Sequence, residues 1–547
     1  MQRRPLAIAL VSSLAFGAIW FASLFPSSIL DPTYVGWMIE GDWFMGLFGW
    51  LFARNAPWSV PFAQAPDLLY PSGSSAALTD AIPLATTIAK VFSPFFGLEY
   101  QFFGLWMFLG VLGLGVVSVL VWRNRVRDPA SLALIAALFT MNPVVATRFG
   151  HPPFFARWML VGLVGLNGWV VGSLQSARRV AAVTCALAFL ACATNPYLAV
   201  MCLGVAVAVL ARLVVQGHFR PSEGLGWVGA LGVTALLSFW LFGFVSGALS
   251  GTKDSLATEG FGEFSADPLA LFNPLQWSRF VSPWPIGGRQ YEGYSYLGLG
   301  AIVLLVARVV ALRWYRPSAR ELLAWVPMMV VALGCAGYAT SDHVVFRGRL
   351  VADLSGLYAH LGPLTGIFRS SGRFMWPLHV LLTTAGVSLA LVFREAWKGR
   401  LVLLAGVLLQ LADLNEPAMS TRPPLKTFTS FQSPTWGLMS DYRHVAIMPM
   451  HLQWICAFDQ QLVAKLSWEA YRQHLTINSG HVGRQPPGVD CHARPTRFDD
   501  DTVYVPYVRE NLDDLLRAGF VCGPVEGRAV CVSAARDTRL KRALTPP

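Results

Sequence analysis

Apolar residues in this chain fall into long runs, with basic and turn-forming residues gathered between them. The first run, 6–25, has about the 20 residues that a helix needs to cross the hydrocarbon core of a bilayer. Similar runs follow at 101–122, 130–147, 156–174, 180–194, 197–215, 226–245, 296–312, 322–339, 374–393 and 401–414. Together they predict about 11 spanning helices. Asn195-Pro196 separates two of these runs, where a proline ends one helix and lets the chain turn back. After 414 the runs stop, and the pattern predicts a helix over 462–474, an alternating strand over 502–508 and a short helix over 511–517. The predicted fold is mainly α. It comprises a polytopic helical membrane domain over 1–414, with a large first outer loop at 26–100, and a small α/β domain over 415–547.

Charge gives this arrangement a direction. The chain has 547 residues, 54% hydrophobic and only 13% charged, with a formal net charge of +11. That composition excludes a disordered chain. The positive excess sits in Arg123, Arg125 and Arg127, in Arg178 and Arg179, in Arg212 and Arg220, in Arg313, Arg316 and Arg320, and in Arg394, Lys398 and Arg400. These clusters occupy alternate loops, as a cytoplasmic face requires, so no nucleic-acid partner is expected. Arg3 and Arg4 keep the N-terminus cytoplasmic, and no small-residue cleavage pattern follows the first run. The apolar segment 81–96 would invert every later loop if it crossed, and therefore reads as interfacial or re-entrant. The tail then falls outside the cell membrane, in an oxidising compartment.

Cysteine placement suits that orientation. Of 8 cysteines, Cys185, Cys192, Cys202 and Cys335 lie in apolar runs, and Cys456, Cys491, Cys522 and Cys531 lie in the tail. The turn containing Gly523-Pro524 and Gly527 favours a disulfide between Cys522 and Cys531, leaving Cys456 with Cys491. A zinc site at Cys491 and His492 is the alternative, with a spacing unlike that of familiar fingers.

Three outer loops exceed ordinary connections: about 75 residues at 26–100, about 45 at 246–295 and about 30 at 340–373. The first opens with Ser28-Ile29-Leu30-Asp31-Pro32 and runs through Gly41-Asp42-Trp43 into an aromatic stretch suited to the membrane interface. A carboxylate held there, Asp31 or Asp42, is suited to act as a base or to hold a divalent cation. For Asp31 the plainer reading is a cap on a helix starting after Pro32. Asp80, in Thr79-Asp80-Ala81-Ile82-Pro83, is a substrate contact or the cap of a re-entrant helix. Arg148 and His151 in one loop, and Glu292 in Tyr291-Glu292-Gly293-Tyr294, are further candidate substrate contacts, with solvated loop side chains as the plain alternative. Arg369 and Arg373 are four apart and share a face on a helical turn, a geometry for bidentate phosphate binding; ordinary lipid-headgroup contact is the alternative. Asp499-Asp500-Asp501 is a calcium candidate, although a solvated charge run is commoner.

Joined with Gly49-Trp50-Leu51-Phe52-Ala53-Arg54, Tyr70-Pro71-Ser72-Gly73-Ser74, Phe368-Arg369-Ser370-Ser371-Gly372-Arg373-Phe374 and Asn478-Ser479-Gly480-His481-Val482-Gly483-Arg484, these segments resemble the GT-C superfamily of integral membrane glycosyltransferases. The likeness within it is to a family of uncharacterised bacterial polytopic membrane proteins. The resemblance implies an inverting transferase of the bacterial inner membrane. It would take a sugar from a polyprenyl-phosphate donor and pass it to a glycan, lipid or protein acceptor on the periplasmic face. It also implies an acidic residue of the first loop, Asp31 or Asp42, as base, with Arg369 and Arg373 on the donor phosphate and magnesium or manganese as a possible aid at those carboxylates. The superfamily's adjacent acidic pair is absent here, which leaves open the identity of the base. Two other classes share the topology: a lipid-linked sugar flippase or other transporter, and a noncatalytic component of envelope assembly. A transporter should show internal repeats and ionisable residues within its spans, and neither stands out.

Overall fold

The computed structural model describes residues 3–245, 260–415, 428–453, 456, 458–483, 490, 495 and 497–544. Among them, eight segments are long and apolar enough to cross a membrane: Arg4–Leu24, Phe103–Trp122, Pro129–Ala146, Leu174–Cys192, Pro196–Val215, Pro221–Leu241, Ala319–Ala339 and Ser371–Val392. Their outward side chains are apolar, with Leu225 71%, Leu236 66% and Val330 65% exposed, as lipid-facing positions require. The chain is a mainly helical multi-pass membrane protein with a C-terminal α/β domain.

Eight of the 11 expected runs form helices long and apolar enough to cross, and the other three are shorter or more polar for local reasons. The run at 156–174 enters through the 3-10 turn Pro152–Arg157 and is helical only over Trp158–Asn167. The Arg212 guanidinium accepts no continuation of that helix, because it binds the terminal carbonyls of Leu166 (2.8 Å), Asn167 and Trp169 (2.7 Å). The run at 296–312 becomes helical only at Leu299, after Gly298 with φ +86° and with the Leu299 N–H donated to buried Asp413 at 2.9 Å. The helix Ala396–Asp413 carries Lys398, Arg400, Gln410 and Asp413 and is less apolar than a span. The segment 81–96 forms the 10-residue helix Pro83–Phe92 and a 3-10 turn, too short to cross. Ionisable residues do lie within spans: Arg212 is one, and buried His379 bonds the Tyr296 carbonyl at 3.2 Å. Arg212, expected in a cytoplasmic loop with Arg220, instead lies inside the helix Pro196–Val215.

The chain forms two compact units that do not follow chain order. One comprises Met1–Leu30, Phe103–Phe239 and Ala257–Arg422; the other comprises Asp31–Phe102, Trp240–Leu256 and Pro423–Pro547. In the first, the helices Arg3–Leu24, Phe103–Trp122 and Pro129–Thr140 pack on one another, as do Leu174–Cys192 and Pro196–Val215. Asn142 and Asn195 cap the helices that begin at Pro143 and Pro196, so each Asn-Pro step restarts the chain after a turn.

The second unit centres on a five-stranded sheet in the order Thr476–Ile477, His444–Met448, Thr502–Pro506, Arg528–Ser533, Phe520–Val525. The first three strands are parallel and the last two form an antiparallel hairpin on them. The helix Gln460–Arg472, capped by Asp459, links the two parallel strands His444–Met448 and Thr476–Ile477. The expected disulfide joins Cys522 and Cys531, which face each other across the hairpin. Cys456 is also disulfide-bonded, while Cys491 and His492 lie outside the described residues. Asp500 binds Ser533, and Asp501 pairs with Arg536.

Two helices of the first loop in this unit, Asp42–Asn55 and Pro83–Phe92, cap each other. Lys90, in the last turn of the second, donates to Ala53 O (2.8 Å) and Ala56 O (2.7 Å) at the end of the first. Arg54, in the last turn of the first, donates to Ser93 O (3.0 Å), Phe96 O (2.9 Å) and Gly97 O (2.8 Å) beyond the second. Cations at helix C-termini meet orphan carbonyls and the negative end of the macrodipole.

Candidate functional site

In the spanning unit, the structure brings together four of the residues singled out from the sequence. Glu292 lies in the 3-10 turn Gln290–Gly293, and Arg373 in the 3-10 turn Ser371–Met375 that opens the span Ser371–Val392. These turns touch through their glycines. A Cβ on Gly372 would come within 2.6 Å of Gly293 Cα and 2.8 Å of Gly293 N, so only glycine permits this approach. The Gly372 N–H is fixed by Phe264 O at 2.9 Å.

Around Glu292 the charges interlock. Arg148 Nη1 lies 2.6 Å from Glu292 Oε2, and its Nη2 binds the Glu292 carbonyl. Arg373 Nε reaches the same Oε2 at 3.0 Å. His151 Nε2 stands 3.4 Å from Arg373 Nη2 and 3.8 Å from Glu292 Oε1. Arg148, Glu292 and Arg373 are buried; His151 is half-buried. Burial by itself would raise the Glu292 carboxyl, but Arg148, Arg373 and His151 outweigh it and hold it well below the usual carboxylate range. Arg148 is shifted down, chiefly by burial and against the pull of Glu292. Phe154 and Tyr197 flank the Arg373 guanidinium at 4.7 and 5.0 Å from their ring centroids, which limits its swing.

Arg369 does not join Arg373 on a helical face. The helix Pro363–Ile367 ends at Phe368, and both Phe368 and Ser370 have non-helical backbone before the next turn starts. Arg369 instead lies over the Phe264 ring at 5.5 Å. The partner of Arg373 across the site is Arg148, which the four-residue spacing could not reveal.

The acidic candidates of the first loop belong to the other unit. Asp31 is exposed, and its Oδ1 accepts from Thr33 N (2.8 Å) and Thr33 Oγ1 (2.7 Å), which lowers its pKa. It organises a turn and caps no helix: the next one, the 3-10 turn Gly36–Met38, has Val35 at its N-cap. Asp42, half-buried, opens the helix Asp42–Asn55 after Gly41 with φ +64°, where a carboxylate favours the helix dipole. Asp80 does not cap a helix: the next helix has Ile82 at its N-cap, and Asp80 itself adopts φ +50°.

Ala63, Leu69 and Ile82 in the same loop also have positive φ. Such backbone costs about 1–3 kcal/mol per residue and persists where surroundings over-determine it. Those surroundings are the tail. Gly483 N binds Leu78 O at 2.7 Å, Ile477 N binds Asp67 O at 2.8 Å, and Tyr70 N binds Ile477 O at 2.9 Å. His481 is buried beside Phe44 and Phe458, and burial pushes its imidazole down to about 4 against the opposing pull of Asp80 and a hydrogen bond to the Gly41 backbone. Three motifs far apart in sequence, at 41–43, 79–83 and 478–483, thus form one structure.

Among the described residues, no three His, Cys, Asp or Glu side chains form a ligand group, and Asp31 is engaged by Thr33. Sequence reasoning also missed Arg157, buried near Arg148, and Trp376 beneath both. Arg157 had a signal, an arginine at the edge of an apolar run; Trp376 had none.

The family model described as "Domain of unknown function (DUF6311)" matches residues 14–415, and "DUF6311 C-terminal domain" matches residues 436–533. No curated protein matches the chain. On this match, which covers most of its length, the chain belongs to the DUF6311 family.

Proposed function

We propose that the chain is a membrane glycosyltransferase that moves a sugar from a polyprenyl-phosphate donor to a cell-envelope acceptor, on the periplasmic face of a bacterial inner membrane. The observation that carries this reading is the buried centre in which Arg148 and Arg373 share the single carboxylate of Glu292. Two guanidiniums brought to one point suit a phosphate, which they bind through paired, charge-assisted hydrogen bonds. Glu292 orients the two arginines when no phosphate is bound. This replaces Arg369 with Arg148 in the clamp.

In the transfer, a carboxylate orients the acceptor hydroxyl and takes its proton while the oxygen attacks the anomeric carbon. The bond from that carbon to the phosphate oxygen breaks, its electron pair leaves on the phosphate, and the arginines stabilise the charge formed there. One displacement inverts the anomeric centre. The resemblance assigns that carboxylate to the first loop, to Asp31 or Asp42. No step is routed through a metal. The basic loops assign the N-terminus to the cytoplasm, and the tail is assigned to the periplasm with the three shorter runs crossing as well, which makes the number of passages odd.

Purified protein given a labelled polyprenyl-phosphate sugar tests the reading. Sugar transfer with release of carrier phosphate supports it. Transbilayer movement without transfer points instead to a flippase, and neither result to an assembly component. Arg373→Ala is expected to weaken donor binding at least about tenfold; unchanged binding removes the clamp. Asp31→Asn or Asp42→Asn should abolish transfer, and full transfer by both variants overturns the assignment of the base to this loop.

A further inference from the structure

Arg157 is a buried charge that the proposed transfer does not use. It ends the turn Pro152–Arg157 with 1% exposure, its guanidinium carbon 5.1 Å from the centroid of the Trp376 ring. Arg148 lies over the same indole at 5.6 Å. Only Nη1 of Arg157 meets an acceptor, Asn142 Oδ1 at a long 3.3 Å. Four buried N–H donors around this ring have no acceptor among the described residues: Nε and Nη2 of Arg157, Nε of Arg148 and Nε1 of Trp376.

The charge count points the same way. Arg148 and Arg373 already share Glu292, so Arg157 adds a guanidinium with no carboxylate of its own among the described residues. His379 gives its Nε2–H to Tyr296 O and supplies no negative charge. Buried charges are stable only when countered, and buried donors only when accepted.

We propose that a small anion of the halide class is resident between Arg157, the Nε of Arg148 and the indole N–H of Trp376. A water molecule fits less well. It offsets none of the excess positive charge. A monatomic anion accepts from donors that lack a partner among the described residues and offsets that charge. The closed setting of the four N–H groups suits one atom better than a tetrahedral oxyanion, so the ion is distinct from a donor phosphate. The proposal does not depend on sugar transfer.

The test uses full-length protein exchanged into gluconate at constant ionic strength and then titrated with bromide. Melting temperature should rise saturably with bromide, and crystals grown in bromide should show an anomalous peak in contact with Arg157 and Trp376. Trp376→Phe should raise the apparent bromide Kd about tenfold by removing one charge-assisted hydrogen bond, and Arg157→Gln should abolish the dependence. Should Arg157→Gln fail to fold, the peak and the Trp376→Phe shift still decide. A melting temperature indifferent to bromide with water alone at the position, or a site that takes inorganic phosphate and no halide, overturns the proposal.

Discussion

The spanning unit and the sheet-containing unit both take cations out of water, by different means. In the spanning unit, Arg148 and Arg373 share one carboxylate, and buried Arg157 lies with Arg148 over the Trp376 ring. In the other, buried Lys90 and half-buried Arg54 have no carboxylate partner among the described residues and bind helix-end carbonyls instead. The carbonyl arrangement is complete: the donors have acceptors and the helix dipoles supply the counter-charge. The carboxylate arrangement is incomplete among the described residues, where Arg157 Nε and Nη2 and Arg148 Nε have no acceptor. Completeness marks architecture, and incompleteness marks a place for a ligand.

Four substitutions or titrations probe that distinction. The largest effect is expected for Glu292→Gln, which removes the counter-charge of buried Arg148 and should lower stability by about 3–5 kcal/mol. Denaturant unfolding measures it, and added phosphate should restore part of the loss if the centre binds anions. Next comes a titration in the sheet unit. His481 has a folded value of about 4 against an unfolded value of about 6.5, so between them the unfolded chain takes up a proton that the folded chain refuses. Its contribution is full above pH 6.5 and is lost as pH falls to about 4, by up to about 3 kcal/mol. His481→Asn should flatten the stability profile in that window.

Gly372→Ala should destabilise by about 1–3 kcal/mol, because the added methyl meets backbone rather than a movable side chain. It should also separate Arg373 from Glu292, visible as weaker anion binding with both charges intact. Lys90→Met should have the smallest effect, about 1–2 kcal/mol, because it removes a buried charge together with its bonds. A loss from Lys90→Met equal to that from Glu292→Gln would erase the distinction between the two units.

Hydropathy made the eight spans readable because each is uniformly apolar over the length lipid requires. It failed where tertiary contacts cut a run short, as Arg212 does at Asn167 and Asp413 does at Leu299. In the tail, the expected helices over 462–474 and 511–517 appear as Gln460–Arg472 and Arg509–Arg517, and the strand as Thr502–Pro506, since local periodicity decides such elements. Arg148, His151, Glu292 and Arg373 were each visible as charged residues in outer loops. Their assembly was not, because it depends on Gly293 and Gly372 meeting across about 80 residues of chain. The Arg369 and Arg373 pairing failed for the opposite reason: a sequence interval was read as a helical turn where Ser370 breaks the helix.

The exchange of caps between Asp42–Asn55 and Pro83–Phe92 bears on how this part of the chain opens. Helix ends ordinarily fray first and alone. Here the carbonyls at 53–56 are held from Lys90 and those at 93–97 from Arg54, so releasing either end strips a cap from the other helix. Amide hydrogen exchange in the two last turns should therefore be concerted, with residues 42–97 behaving as one cooperative unit.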